Sequence, residues 1–170
     1  TAKKRGLRIH VATAFFVPKP HTPFQWEQQI TRSEYLRRCK LLKSHFYSKS
    51  IDYNYHTPEI SRLESVMARG DRRIAPVIAE AARNGARLDG WDEYFKHEAW
   101  IEAFEKCGVD PEFYTTRGFG EEELLPWDHI NVGLTKKFLL RERHTAYESR
   151  VTPDCRHGCA GCGANCLLKE

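Results

Sequence analysis

The sequence predicts an α+β protein that is mostly helical: one βαβ unit, then a helical C-terminal extension, then a cysteine-rich metal-binding tail. Three observations carry that expectation. Leu7, Ile9, Val11, Thr13, Phe15 and Val17 alternate along the chain, the period of a β-strand. From Thr57 onward apolar residues recur instead at helical spacing. Four of the six cysteines lie in the segment from Cys155 to Cys166. The expected segments are 1–56, 57–150 and 151–170.

The strand over 7–17 has a second side that is only partly polar, which suits a strand covered on both faces. It stops at Pro18-Lys19-Pro20-His21-Thr22-Pro23, where the repeated prolines forbid further ladder pairing. In the helix that follows, Thr31 and Glu34 suit a capping box, and Tyr35, Cys39, Leu42 and Phe46 recur at helical spacing. Ile51, Tyr53 and Tyr55 alternate in a second, short strand. Strand, helix and strand in this order predict a right-handed crossover between parallel strands. Thr57 caps the next helix with Pro58 in its first turn, and Ile60, Leu63 and Met67 form its buried stripe. Asp71 caps another, in which Ile74, Val77, Ile78, Ala81 and Ala82 lead to Gly85. Trp91, Phe95, Trp100, Phe104 and Cys107 predict a third helix of this extension, ended by Gly108. A loop holds Gly118, Gly120 and the acidic run Glu121-Glu122-Glu123, and a last helix covers about Thr135 to Glu148. Two strands are too few for a stable sheet: either the helices cover the bare edge or, the favoured reading, further strands complete the sheet.

Composition limits the function. An apolar content of 41% and an aromatic content of 12% are those of a chain with a packed core, not of a disordered one. No apolar run reaches the length needed to span a bilayer and no signal peptide opens the chain. No membrane partner is therefore expected, and the expected location is cytoplasmic. The net charge of +4 comes from 27 basic and 23 acidic residues that are interspersed, which reads as solvated surface and leaves RNA a secondary expectation. There is no Gly-rich phosphate loop and no nucleophile elbow.

Cys39 and Cys107 each stand alone in a helical pattern, where cysteine acts as a small buried hydrophobe. The other four, Cys155, Cys159, Cys162 and Cys166, read C-x3-C-x2-C-x3-C. In a cytosolic chain such a cluster points to metal before disulfides. Thiolates ligate zinc and iron–sulfur clusters, and Gly158, Gly161 and Gly163 let the backbone curl around a centre. Structural zinc sites usually pair two short knuckles across a long insert. The compact run of 155–166 favours a 4Fe–4S cluster over zinc, and a flexible tail with free thiols or chance disulfides is the third reading. Cys155-x3-Cys159-x2-Cys162 also has the spacing of the cluster motif of radical S-adenosylmethionine (radical SAM) enzymes. That chemistry leaves one iron open for the cofactor, and Cys166 closes it. A closed auxiliary or structural centre is expected.

Two other segments are candidates for substrate or cofactor contacts. Lys19, His21 and Thr22 follow a strand, where α/β folds place ligands; a rigid aromatic turn explains the same residues. Arg69 and Arg72 flank a helix start, a possible anion site, and surface salt bridging with an Asp cap explains them equally well. Trp127-Asp128-His129 sets a carboxylate beside an imidazole, yet adjacent residues in a strand point opposite ways and no catalytic pair is expected.

Five motifs occur in order: FVPKPHTPFQW at 16–26, LESVMARGDRR at 63–73, LDGWDEYF at 88–95, LPWDHINVGLTKKFL at 125–139 and TPDCRHGCAGCGANC at 152–166. Together they resemble the C-terminal portion of radical SAM proteins that carry an N-terminal cobalamin (B12)-binding domain, across nearly the whole chain. The resemblance implies that Leu7 to Trp26 is the last strand of a partial (β/α) barrel with its exit loop, and that the rest is a helical extension ending in cysteines. It implies a full enzyme that binds a 4Fe–4S cluster, S-adenosylmethionine and cobalamin, and that makes a 5′-deoxyadenosyl radical or transfers a methyl group. The remainder of the barrel and the cobalamin-binding domain are then the partners of this region. The cobalamin domain and the barrel's own cysteine motif are absent from this sequence, so radical chemistry is expected only of the full enzyme. The alternative is a stand-alone zinc-binding helical module that binds RNA or protein.

Overall fold

The structure, a computed structural model, describes residues 6–164. Their order is β1 (Ile9–Thr13), α1 (Arg32–His45), β2 (Ile51–Tyr55), α2 (Pro58–Arg69), α3 (Ile74–Arg83), α4 (His97–Cys107), α5 (Glu112–Thr115) and α6 (Lys136–Tyr147). The protein is thus mixed α/β and mostly helical. β1 and β2 pair in parallel from Ile9↔Ile51 to Thr13↔Tyr55, with α1 as the connection.

β1 is shorter than the alternation from Leu7 to Val17 suggests. Its ladder ends at Thr13, whose carbonyl takes the His56 amide at 3.1 Å, because β2 stops at Tyr55 and α2 begins soon after. One face of the sheet is covered by α1: Phe15 stacks on Tyr35 at 4.2 Å, and both pack with Cys39 and Tyr53. The other face is not covered as expected. His10, Asp52 and Asn54 lie exposed there and bond to one another, with Asp52 accepting from Asn54 at 3.1 Å.

The starts of α1 and α6 carry threonine side-chain caps, whereas Thr57 makes no cap bond at α2 and Arg73, not Asp71, precedes α3. Thr31 Oγ1 accepts from the Glu34 amide at 3.3 Å. The Glu34 carboxylate does not reach back, because it turns to Arg37 and then Arg38, which hold it down at about 2. Asp71 Oδ1 accepts from the Arg73 amide at 2.9 Å at the approach to α3. Gly70 lets α2 and α3 meet closely, since a Cβ there would lie 2.6 Å from Ile74 Cγ1 and 2.7 Å from the Val66 carbonyl. α4 starts at His97, later than the aromatic spacing predicts. The step from Phe95 to Trp100 is five residues, out of helical phase, and Trp91 and Tyr94 are exposed in a turn. α4 ends as expected at Gly108 with φ 63, and the Val109 amide returns to the Phe104 carbonyl at 3.0 Å.

α2 is rotated from its predicted phase. Ser61, Ser65, Val66 and Arg69 are buried and Met67 is exposed. A polar seam, not an apolar stripe, faces inward: Arg69 donates to the Thr115 and Arg117 carbonyls, whereas Ser65 Oγ is buried with no hydrogen-bond partner among the described residues. The largest cluster joins Val66, Ile74, Val77, Ala81, Trp100, Phe104 and Tyr114 across α2 to α5. A second joins Trp26 to Phe119, Leu125, Trp127 and Leu139. That second cluster seats the proline turn on the C-terminal half of the chain.

Candidate functional site

The proline turn is built around Gln25 and Trp26. Gln25 Oε1 accepts from the His21 amide at 2.8 Å and from Trp127 Nε1 at 2.7 Å. Trp26 is 1% exposed, and its carbonyl accepts from the Phe119 amide at 2.8 Å. These bonds hold His21 at φ 57, in the left-handed region that costs a side-chain-bearing residue about 1–2 kcal/mol. Thr22 Oγ1 donates back to the Lys19 carbonyl at 2.8 Å, and Lys19 pairs with Glu64 of α2. Of the three candidates, Thr22 closes the turn, Lys19 ties it to α2, and the His21 ring makes no hydrogen bond among the described residues. Phe24 does not anchor the turn in the core: it is 37% exposed and meets Phe16 and Tyr147 edge-on.

Arg69 and Arg72 do not share a site. Arg69 is 0% exposed. Its Nη1 donates to the Thr115 carbonyl at 3.0 Å and its Nη2 to the Arg117 carbonyl at 2.9 Å, and its guanidinium lies 4.3 Å over the Phe119 ring. Burial, with the Arg117 charge nearby, pulls its pKa down to about 10. Arg69 therefore joins α2 to the 115–119 segment instead of facing solvent. Arg72 is exposed and lines an open cleft of about 960 Å³ with Arg73, Pro126 and His129. Asp128 is occupied structurally, its Oδ2 taking the Leu125 amide at 2.8 Å.

The tail folds back on the start of α6. The Thr135 amide donates to the Cys162 carbonyl at 3.0 Å, and Arg141 donates to the Ala160 carbonyl. Gly163, at φ +105, fits under this contact, since a Cβ would lie 2.8 Å from the Gly133 carbonyl. Two amides point at sulfur. Gly161 N–H donates to Cys159 Sγ and Ala164 N–H to Cys162 Sγ, each at 3.4 Å and each two residues beyond its thiol. Asp154 accepts from the Arg156 amide at 2.9 Å and contacts His157 Nδ1 at 3.1 Å, shaping the turn around Cys155. Cys166 lies outside the described residues. Among the described residues, no three His, Cys, Asp or Glu side chains are grouped closely enough to hold a metal ion. Among them, too, no helix is long and apolar enough to cross a membrane.

Comparison with known proteins finds no matching family model, no matching curated protein and no matching solved structure. Gln25, Thr115 and Arg141 are the organising residues that sequence reasoning missed. For Gln25 a signal existed: it stands beside Trp26 in one tryptophan motif and bonds to Trp127 in another. Thr115 and Arg141 carry none, because each acts in a pairing with a distant backbone carbonyl or guanidinium.

Proposed function

We propose that this chain is the C-terminal region of a cobalamin-dependent-type radical SAM iron–sulfur enzyme, and that its tail holds an auxiliary centre through Cys155, Cys159, Cys162 and Cys166. The observation that carries the centre is the pair of amides aimed at Cys159 and Cys162. A thiolate ligand is steadied by such donors, and hydrogen bonds to sulfur tune a cluster's potential. A neutral surface thiol gains little from them. The bare sheet supports the rest of the reading. Parallel strands occur almost always in sheets covered on both faces, whereas β1 and β2 here are covered on one. In the full enzyme β1 becomes the last strand of the partial barrel and the proline turn its exit loop. The barrel and the cobalamin domain then supply S-adenosylmethionine binding and the catalytic cluster, and the helices contribute the substrate side.

A second reading, a zinc module that binds RNA, is favoured by one feature. A groove of about 520 Å³ along α6 is lined by Lys136, Lys137, Arg141 and Arg150, with Glu122 and Glu148 among them. Anaerobic reconstitution with iron and sulfide, followed by metal analysis and absorbance spectroscopy, separates the two. The expected result is about four irons per chain, lost in Cys162→Ser. One tightly held zinc with salt-sensitive RNA binding would reverse the order of the readings, and retention of neither metal would overturn both.

A further inference from the structure

Between α2 and α4 lies a cavity of about 230 Å³, separate from the tail and from the proline turn. Glu59, Arg62, Leu63 and Val66 line it from α2 at the i, i+3, i+4, i+7 spacing of one helix face, and Trp100 and Phe104 line it from α4. Its floor is apolar, with Val66 1% and Trp100 8% exposed. Trp100 Nε1 donates to Asp89 Oδ2 at 3.3 Å, which fixes the ring against the cavity. Its mouth is ionic. Arg32 Nε donates to Glu59 Oε1 at 2.6 Å, and Arg62 pairs with Glu112. Glu59 and Arg62 are the withdrawn members, with side-chain exposures of 19% and 18%.

These features define a ligand. An apolar concavity with a few polar groups at one end is the ordinary form of a small-molecule site, and drug-sized ligands take about 300–1,000 Å³. The smaller volume suits a body of one ring. Arg32, His97 and Glu112 also line the mouth. Within it Glu59 and Arg62 lie side by side on α2, each in one ion pair, and a carboxylate and a guanidinium each have more hydrogen-bonding capacity than one ion pair uses. A head group with one charge of each sign matches that pair, whereas a singly charged head meets a like charge at the same mouth. Trp100 and Phe104 favour an aromatic body, through offset or edge-on ring contacts beyond simple burial.

We propose that this cavity binds a free aromatic amino acid, its ring against Trp100 and Phe104 and its zwitterionic head between Glu59 and Arg62. The site stands whether or not the tail holds metal.

Calorimetric titration, read alongside the indole N–H resonance of Trp100, tests it on the whole chain. The probes are phenylalanine, phenylacetate, phenethylamine and toluene. Phenylalanine should move the Trp100 resonance saturably and bind about tenfold more tightly than either singly charged analogue, the worth of one charge-assisted hydrogen bond. Glu59→Gln should weaken phenylalanine by about tenfold on the same grounds and leave toluene unchanged. Ile101→Trp, at the half-buried lip, should fill the space and abolish binding of every probe. The site is overturned if no probe moves the Trp100 resonance or if Ile101→Trp still binds. The zwitterion assignment is overturned if phenylacetate or phenethylamine binds as tightly as phenylalanine. The four probes on the unaltered protein decide the matter even where a variant fails to fold.

Discussion

The proline turn and the cysteine tail are both loops rich in residues that break regular structure, yet different forces hold them. In the turn, Gln25 and Trp26 are 3% and 1% exposed, and their bonds run to Trp127 and Phe119. In the tail, Cys155 and Cys159 are exposed, and the anchoring groups are backbone carbonyls of Ala160 and Cys162. The turn is shaped by its own buried side chains. The tail has its backbone placed against α6 while Cys155, Cys159 and the charged Asp154 and Arg156 are exposed.

The sharpest way to break that contrast is Trp26→Ala. Removing a fully buried tryptophan from its cluster should cost about 3–5 kcal/mol, read as a lower urea midpoint with unchanged slope. A loss under about 1 kcal/mol would mean that the turn does not depend on its core residue. Gln25→Ala comes next. It leaves the Trp127 indole N–H buried without a partner and should cost about 1–3 kcal/mol, with Gln25→Glu restoring part of it through the same acceptor.

The tail should behave in the opposite way. Gly163→Ala forces a Cβ against the Gly133 carbonyl at positive φ, a local strain of about 1–2 kcal/mol. It should be met by the tail lifting off α6, not by global unfolding. Hydrogen exchange of the Thr135 amide should accelerate while the urea midpoint stays put. A matching drop in the global midpoint would show that the tail is part of the core after all.

The smallest effect belongs to a control outside both loops. Arg73 beside Asp71 holds that carboxyl at about 2, below its usual 3.8. A depressed carboxyl adds stability above its unfolded pKa and loses it as pH falls through the folded one. The stability gap between the wild type and Asp71→Asn should therefore be about 1 kcal/mol or less at neutral pH and shrink between about pH 4 and 2. A gap constant with pH would remove the Asp71–Arg73 pair as its source.

Much of this molecule can be read from its sequence because the relevant physics is local. The Thr31 cap and the Gly108 stop follow from residues a few positions apart, and the parallel βαβ pairing from two alternating runs joined by a helical one. The cysteine spacing likewise names a candidate centre with no knowledge of fold. What lay beyond reach was the inward face of α2 and the role of Arg69. A serine–serine–arginine face looks like a solvated one until segment 115–117 supplies carbonyls to Arg69, across 46 and 48 residues of chain. The Gln25–Trp127 bond spans 102 residues. Periodicity tells which side chains share a face. Whether that face meets water or distant carbonyls depends on what tertiary packing brings there, because a buried guanidinium such as that of Arg69 is costly unless partners are placed around it.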